Sequence, residues 1–122
     1  MPKILIVDDD VTITELMKAL VKMEGHEPTT VNDSLQAVEI AKSVSPDLIT
    51  LDLMMPGLTG FELCKMLADD PDFSSTPIII VSAKDDPESK KQALEAGAKD
   101  YITKPFNVDD FVGKIATLIK ET

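Results

Sequence analysis

Tryptophan and arginine are missing from this 122-residue chain, cysteine occurs once, and aromatic residues make up only 4%. The single Cys64 excludes a disulfide framework and any cysteine-rich zinc site. Without arginine, a phosphate group can be met only by lysine ammonium charges, never by a planar guanidinium fork. Apolar runs stop at four or five residues, so nothing reads as a bilayer-crossing helix or a signal peptide. Bases are also scarce: twelve lysines face twenty-two acids, for a formal charge of −10. Such a chain repels a phosphodiester backbone and an anionic lipid surface, which argues against direct nucleic-acid or membrane binding. No glycine-rich fingerprint follows the first apolar run, which argues against a nucleotide or flavin cofactor.

What is present describes one soluble, intracellular, cytoplasmic domain over residues 1–122. Hydrophobic residues at 43% and charged residues at 28% are globular proportions, and a chain this long can bury about two-thirds of its unfolded surface. Ile4–Val7, Leu48–Leu51 and Ile78–Val81 are short, largely β-branched and continuously apolar, as strands covered on both faces are. Glu27–Val31 and Lys99–Thr103 are more polar and suit edge strands. Between them lie helical patterns. Ile13, Leu16, Met17, Leu20 and Val21 define one face of a helix ending at Gly25. Asn32-Asp33-Ser34 offers caps for a second, carrying Leu35, Val38 and Ala41 and stopped by Pro46. Phe61, Cys64, Met66 and Leu67 mark a third, a fourth runs from Pro87 to Gly97, and a fifth from Asn107 to Lys120. Strands alternating with helices predict a doubly wound α/β domain with a five-stranded parallel sheet and five flanking helices.

Chemistry gathers at the strand ends. The first strand runs into Asp8-Asp9-Asp10, the third into Asp52, the fourth into Ser82 and the fifth into Lys104-Pro105. Open parallel sheets bind ligands outside the carboxyl ends of their strands, so these groups converge by topology. Two carboxylates about 4 Å apart repel by roughly 4 kcal/mol at an effective dielectric of 20. Protonation or a hard divalent cation relieves this, and magnesium shared between carboxylates and a phosphoryl group fits the inventory. The set describes a magnesium-assisted phosphoryl site with a carboxylate nucleophile.

Asp8-Asp9, Asp52 within Asp52-Leu53-Met54-Met55-Pro56-Gly57, Ser82-Ala83 and Lys104-Pro105-Phe106 closely resemble the motifs of receiver domains of two-component response regulators, in order and over essentially the whole chain. The resemblance implies the flavodoxin-like strand order 2-1-3-4-5 and a function as a phosphorylation-activated signalling switch. It implies that Asp52 accepts a phosphoryl group from a sensor histidine kinase or phosphotransfer protein. Asp9 and Asp52 would ligate Mg2+ directly, Asp8 largely through water, and Met54 through its backbone carbonyl. Lys104, before a cis bond to Pro105, would pair with the phosphoryl group. Ser82 would move towards that group and Tyr101 would turn inward. The face made by the fourth helix, fifth strand and fifth helix would then control binding of a downstream protein. Such a domain is not an enzyme on external substrates; it catalyses only its own phosphorylation and dephosphorylation.

Plainer readings apply to other residues. Asp10 suits a helix N-terminus, His26 an exposed turn, Cys64 an inert apolar position, and the six methionines core filling. Two departures from the family stand out: serine replaces threonine at position 82, and the last helix has no arginine for the dimer salt bridges of the winged-helix class. No residues are left for an output domain, which leaves a stand-alone receiver and a receiver from a longer regulator or hybrid kinase both open. A haloacid-dehalogenase-type phosphohydrolase would carry a second acid where Met54 stands, and an adaptor on this scaffold would lack one of the acids or the lysine.

Overall fold

In the computed structural model, which describes residues 1–120, five strands and five α-helices alternate. They are β1 (Lys3–Val7), α1 (Val11–Met23), β2 (Glu27–Val31), α2 (Ala37–Val44), β3 (Leu48–Leu51), α3 (Gly60–Asp69), β4 (Ile78–Ser82), α4 (Pro87–Glu95), β5 (Asp100–Thr103) and α5 (Val108–Lys120). A short 3-10 turn, Ser34–Gln36, precedes α2. The sheet is wholly parallel in the order β2-β1-β3-β4-β5. The two more polar strands are therefore the edges. Among the described residues no helix is long and apolar enough to cross a membrane.

Each continuous apolar run divides its side chains between two cores, because successive residues of a strand point to opposite faces. Leu5, Val7, Ile49, Leu51, Ile78 and Ile80 pack with Ala37 and Ala41 of α2, Leu63, Cys64 and Leu67 of α3, and Ala93 of α4. Ile4, Ile6, Leu48, Ile79, Val81 and Ile102 pack with Met17 and Val21 of α1 and Phe111 and Ile115 of α5. With both faces covered by apolar contacts, charged groups are left to the strand ends, and Thr50 is the polar residue buried inside a central strand.

The helices start and stop on local chemistry. Asp10 caps α1 by accepting from the Thr12 and Ile13 amides at 2.9 and 3.3 Å. Thr59 and Glu62 form a reciprocal capping box on α3, and Asp86 caps α4 with Pro87 in its first turn.

Several helical positions depart from the periodicity reading. Leu16 is 46% exposed, and Met66 and Val108 also face solvent, because a helix laid on a sheet buries a narrower stripe than the pattern suggests; Leu35, expected on the second helix, lies instead in the exposed 3-10 turn before it. Only Met17 and Met55 of the six methionines are buried; Met1, Met23, Met54 and Met66 are exposed. His26 is half-buried rather than exposed, and its Nδ1 has no hydrogen-bond partner among the described residues.

Gly60 opens α3 where its backbone lies against the segment that leaves β3, with its amide donating to the Leu53 carbonyl at 3.0 Å. A Cβ there would collide with the backbone of Asp52 and Leu53. Gly60→Ala is therefore expected to cost about 2 kcal/mol or more, as overpacking against rigid backbone does, read as a lower urea midpoint at unchanged slope.

Candidate functional site

Strand register sets the site. Val7 lies beside Leu51 in the β1–β3 pair, so the residues that follow, Asp8 and Asp52, emerge together. Their main chains are tied to the neighbouring strands: the Asp8 amide donates to the Val31 carbonyl and the Asp52 amide to the Val7 carbonyl, both at 3.1 Å. Ser82 pairs with Thr103 across β4–β5, and the Lys104 amide donates to the Ser82 carbonyl at 2.8 Å. The peptide bond between Lys104 and Pro105 is cis.

Carboxylate oxygens of Asp8, Asp9 and Asp52 lie within 4.8 Å of one another, with Asp8 and Asp52 buried and Asp9 exposed. Lys104 reaches across the sheet into this cluster. Its ammonium donates to Asp8 Oδ2 at 2.5 Å and to Asp52 Oδ2 at 3.2 Å. The other oxygens are engaged by main chain: Asp8 Oδ1 accepts from the Asp10 amide at 2.9 Å, and Asp52 Oδ1 from the Met54 amide at 3.1 Å. Burial pushes the Asp8 carboxyl above its ordinary value, against the lowering influence of Lys104 and the Asp10 amide. Burial works against the Lys104 ammonium too, but its bond to Asp8 and the charges of Asp52 and Asp8 outweigh this and hold the amine above its usual range. Three carboxylate oxygens are a hard donor set of the kind that suits magnesium or calcium.

Ser82 is fully buried, and its Oγ accepts from the Lys84 amide at 3.3 Å. Tyr101 is half-buried on β5 and donates its hydroxyl to the Lys84 carbonyl at 2.5 Å, with the Lys90 ammonium 5.8 Å from its ring centre. Its phenol sits above its ordinary pKa, chiefly through burial. The main chain of one residue, Lys84, thus touches both residues expected to move.

Residues 4–116 match the response regulator receiver domain family. The chain belongs to that family. The receiver superposes on the receiver domain of Francisella response regulator 1452 with a TM-score of 0.92, at 36% identity over 99% of this chain and 98% of that one. It is equally similar, at 0.92 and 32% identity over 100% and 92%, to the signal receiver domain of a signal transduction histidine kinase from Syntrophus aciditrophicus. Among curated relatives, the phosphate regulon transcriptional regulatory protein PhoB of Pseudomonas aeruginosa is 40% identical over 98% of this chain and 52% of its own length. The DNA-binding dual master transcriptional regulator RpaA of Synechocystis is 35% identical over 100% and 51%. The receiver spans about half the length of these curated relatives. It is the receiver of a two-component response regulator, a class that signals by phosphorylation, takes phosphoryl groups from histidine kinases, and binds Mg2+ at its acidic pocket.

All the acids, the serine and the lysine named from the sequence lie at one end of the sheet. Asp10 is separate from them, a helix cap as its position suggested. Cys64 is buried and its thiol is pushed by burial to about 11, which keeps it protonated and unreactive. Asn32 and Ser34 escaped the sequence reading. They looked like helix caps, whereas Asp33 alone caps that turn.

Without divalent metal, Lys104→Met leaves Asp8 and Asp52 facing each other with no counter-charge. The expected cost is about 3 kcal/mol at neutral pH, as for a buried pair stripped of one partner. An acid whose folded pKa is raised gains stability as pH falls. The variant's deficit should therefore shrink towards pH 5, measured by urea melts at both pH values.

Proposed function

We propose that Asp52 is the phosphoacceptor of a switch that catalyses only its own phosphorylation and dephosphorylation. The observation that carries this reading is the junction of Asp52 with Asp8, Asp9 and the Lys104 ammonium in one buried cluster. An oxygen of Asp52 attacks the phosphorus of a phosphohistidine on the donor kinase or phosphotransfer protein. The oxygen–phosphorus bond forms, the nitrogen–phosphorus bond breaks, and the electron pair returns to the imidazole ring. Asp8, Asp9, Asp52 and the Met54 carbonyl would hold magnesium, which supplies positive charge where phosphoryl oxygens and carboxylates crowd together.

Lys104 stays cationic and already spans two acids, so it can exchange the Asp52 oxygen for a phosphoryl oxygen without leaving the pocket. Ser82 offers its hydroxyl to another phosphoryl oxygen. Moving Ser82 releases the Lys84 amide, whose residue also anchors Tyr101, and this favours an inward turn of that ring. The population shift then reaches α4, β5 and α5, where a downstream protein would read it. A kinase phosphodonor would be met in the cytoplasm. With its −10 charge this domain itself would not contact DNA; in a longer regulator that task would fall to another part. A haloacid-dehalogenase-type reading is disfavoured by Met54, which stands where that class needs its second acid.

Incubation with acetyl phosphate and magnesium should add the mass of one phosphoryl group, and Asp52→Asn should abolish the gain. Multiple turnover of a phosphomonoester, or an unchanged gain in Asp52→Asn, would count against the reading. Met54 is 56% exposed beside Asp52, and Lys84 is exposed just beyond Ser82. Replacing either should change the lifetime of the acyl phosphate by a factor of about three or more, followed as loss of the added mass with time.

A further inference from the structure

The segment between β2 and the helical turn before α2, Asn32-Asp33-Ser34, takes no part in phosphoryl chemistry, yet two of its side chains reach the loops that do. Asn32 Nδ2 donates to the Asp8 carbonyl at 2.9 Å and to Thr14 Oγ1 at 3.0 Å. Ser34, only 2% exposed, donates its hydroxyl to the Pro56 carbonyl at 2.8 Å and accepts from the Leu58 amide at 3.0 Å. Those two groups flank Gly57, whose φ of +83° turns the chain and whose missing side chain lets Ser34 approach. A hydroxyl acting as a helix cap would bond amides of its own first turn. Asp33 does that, accepting from the Leu35 amide at 3.0 Å, whereas Ser34 serves residues 22 and 24 positions away.

We propose that Asn32 and Ser34 are positioning residues for the acid pocket, holding the loop of Asp8 and Asp9 and the loop that follows Asp52 from one short junction. The inference rests on the phosphoacceptor reading above. Mutually repelling carboxylates cannot set their own spacing, and Lys104 fixes only the side chains of Asp8 and Asp52. The main chains need a separate hold. Asn32 gives it to the Asp8 carbonyl and, through Thr14, to the first turns of α1, since Thr14 in turn donates to the Val11 carbonyl at 3.0 Å. Ser34 gives it to the turn that begins two residues after Met54, the expected carbonyl donor. Truncating either leaves main-chain groups without partners and frees the loop, as loss of an outer partner does at a metal site.

The test is magnesium titration of the intact protein, followed by backbone amide shifts of residues 8–10 and 52–54, beside amide hydrogen exchange before metal is added. Ser34→Ala should weaken magnesium binding about tenfold or more and speed exchange at Leu58. Asn32→Ala should weaken it comparably through Asp8, and it carries the test if Ser34→Ala does not fold. Ile115→Val, in the core under α5, should lower the melting temperature yet bind magnesium like the parent, so that lost stability alone is excluded as the cause. Binding within twofold of the parent in both pocket variants would overturn the brace while leaving the phosphoacceptor reading intact. A parent protein with no saturable magnesium response would remove both.

Discussion

The bond from one lysine to two buried acids holds this molecule's working end together. Asp8, Asp9 and Asp52 bring three carboxylates into a space where each pair repels by several kcal/mol at protein-like dielectric. Lys104 returns a single positive charge. With all four groups ionised the cluster retains two negative charges, the amount one divalent cation neutralises. A locally unfavourable arrangement of this kind would become favourable on binding a cation, a common way in which function is maintained against stability.

That arrangement is possible because the rest of the sheet is apolar on both faces. β1 sends Ile4 and Ile6 to one core and Leu5 and Val7 to the other, and β3 and β4 do likewise. The charged residue of the central strands is Lys3, exposed at the start of β1, so no charge meets either apolar face before the strands end. The acids therefore appear one residue beyond β1 and β3, and the lysine one residue beyond β5. Parallel register then sets positions 8 and 52 at one level and 104 two residues further along, within reach of a lysine side chain, without any local sequence signal linking them.

This explains what could be read in advance. β2 and β3 were legible to the residue, because a short β-branched run between turn formers has few alternatives. Helix faces were less so: Leu16 and Met66 satisfy the period yet face water, since periodicity gives the direction of a stripe and not its width. The pocket was legible because strand ends are determined by topology once the alternation of elements is known. Ser34 and Asn32 were not, because their bonds span 22 and 24 residues and their residue types, before a helix, look like caps. Only the loop path shows which of three capping-type residues does the capping.

The switch proposed here would have a physical basis in how unevenly the edge of the sheet is secured. α4 buries only Ser89 and Ala93, whereas α5 drives Phe111 and Ile115 into the core. An element with little apolar burial opens at low free energy. The turn that leads into α4 is held by Lys84, whose amide belongs to Ser82 and whose carbonyl belongs to Tyr101. A displacement at Ser82 would thus fall on a weakly held helix and on the half-buried ring of β5, not on the tightly packed centre. Rigid strands deliver the acids to fixed positions, while the loosely packed fourth helix leaves something nearby free to move.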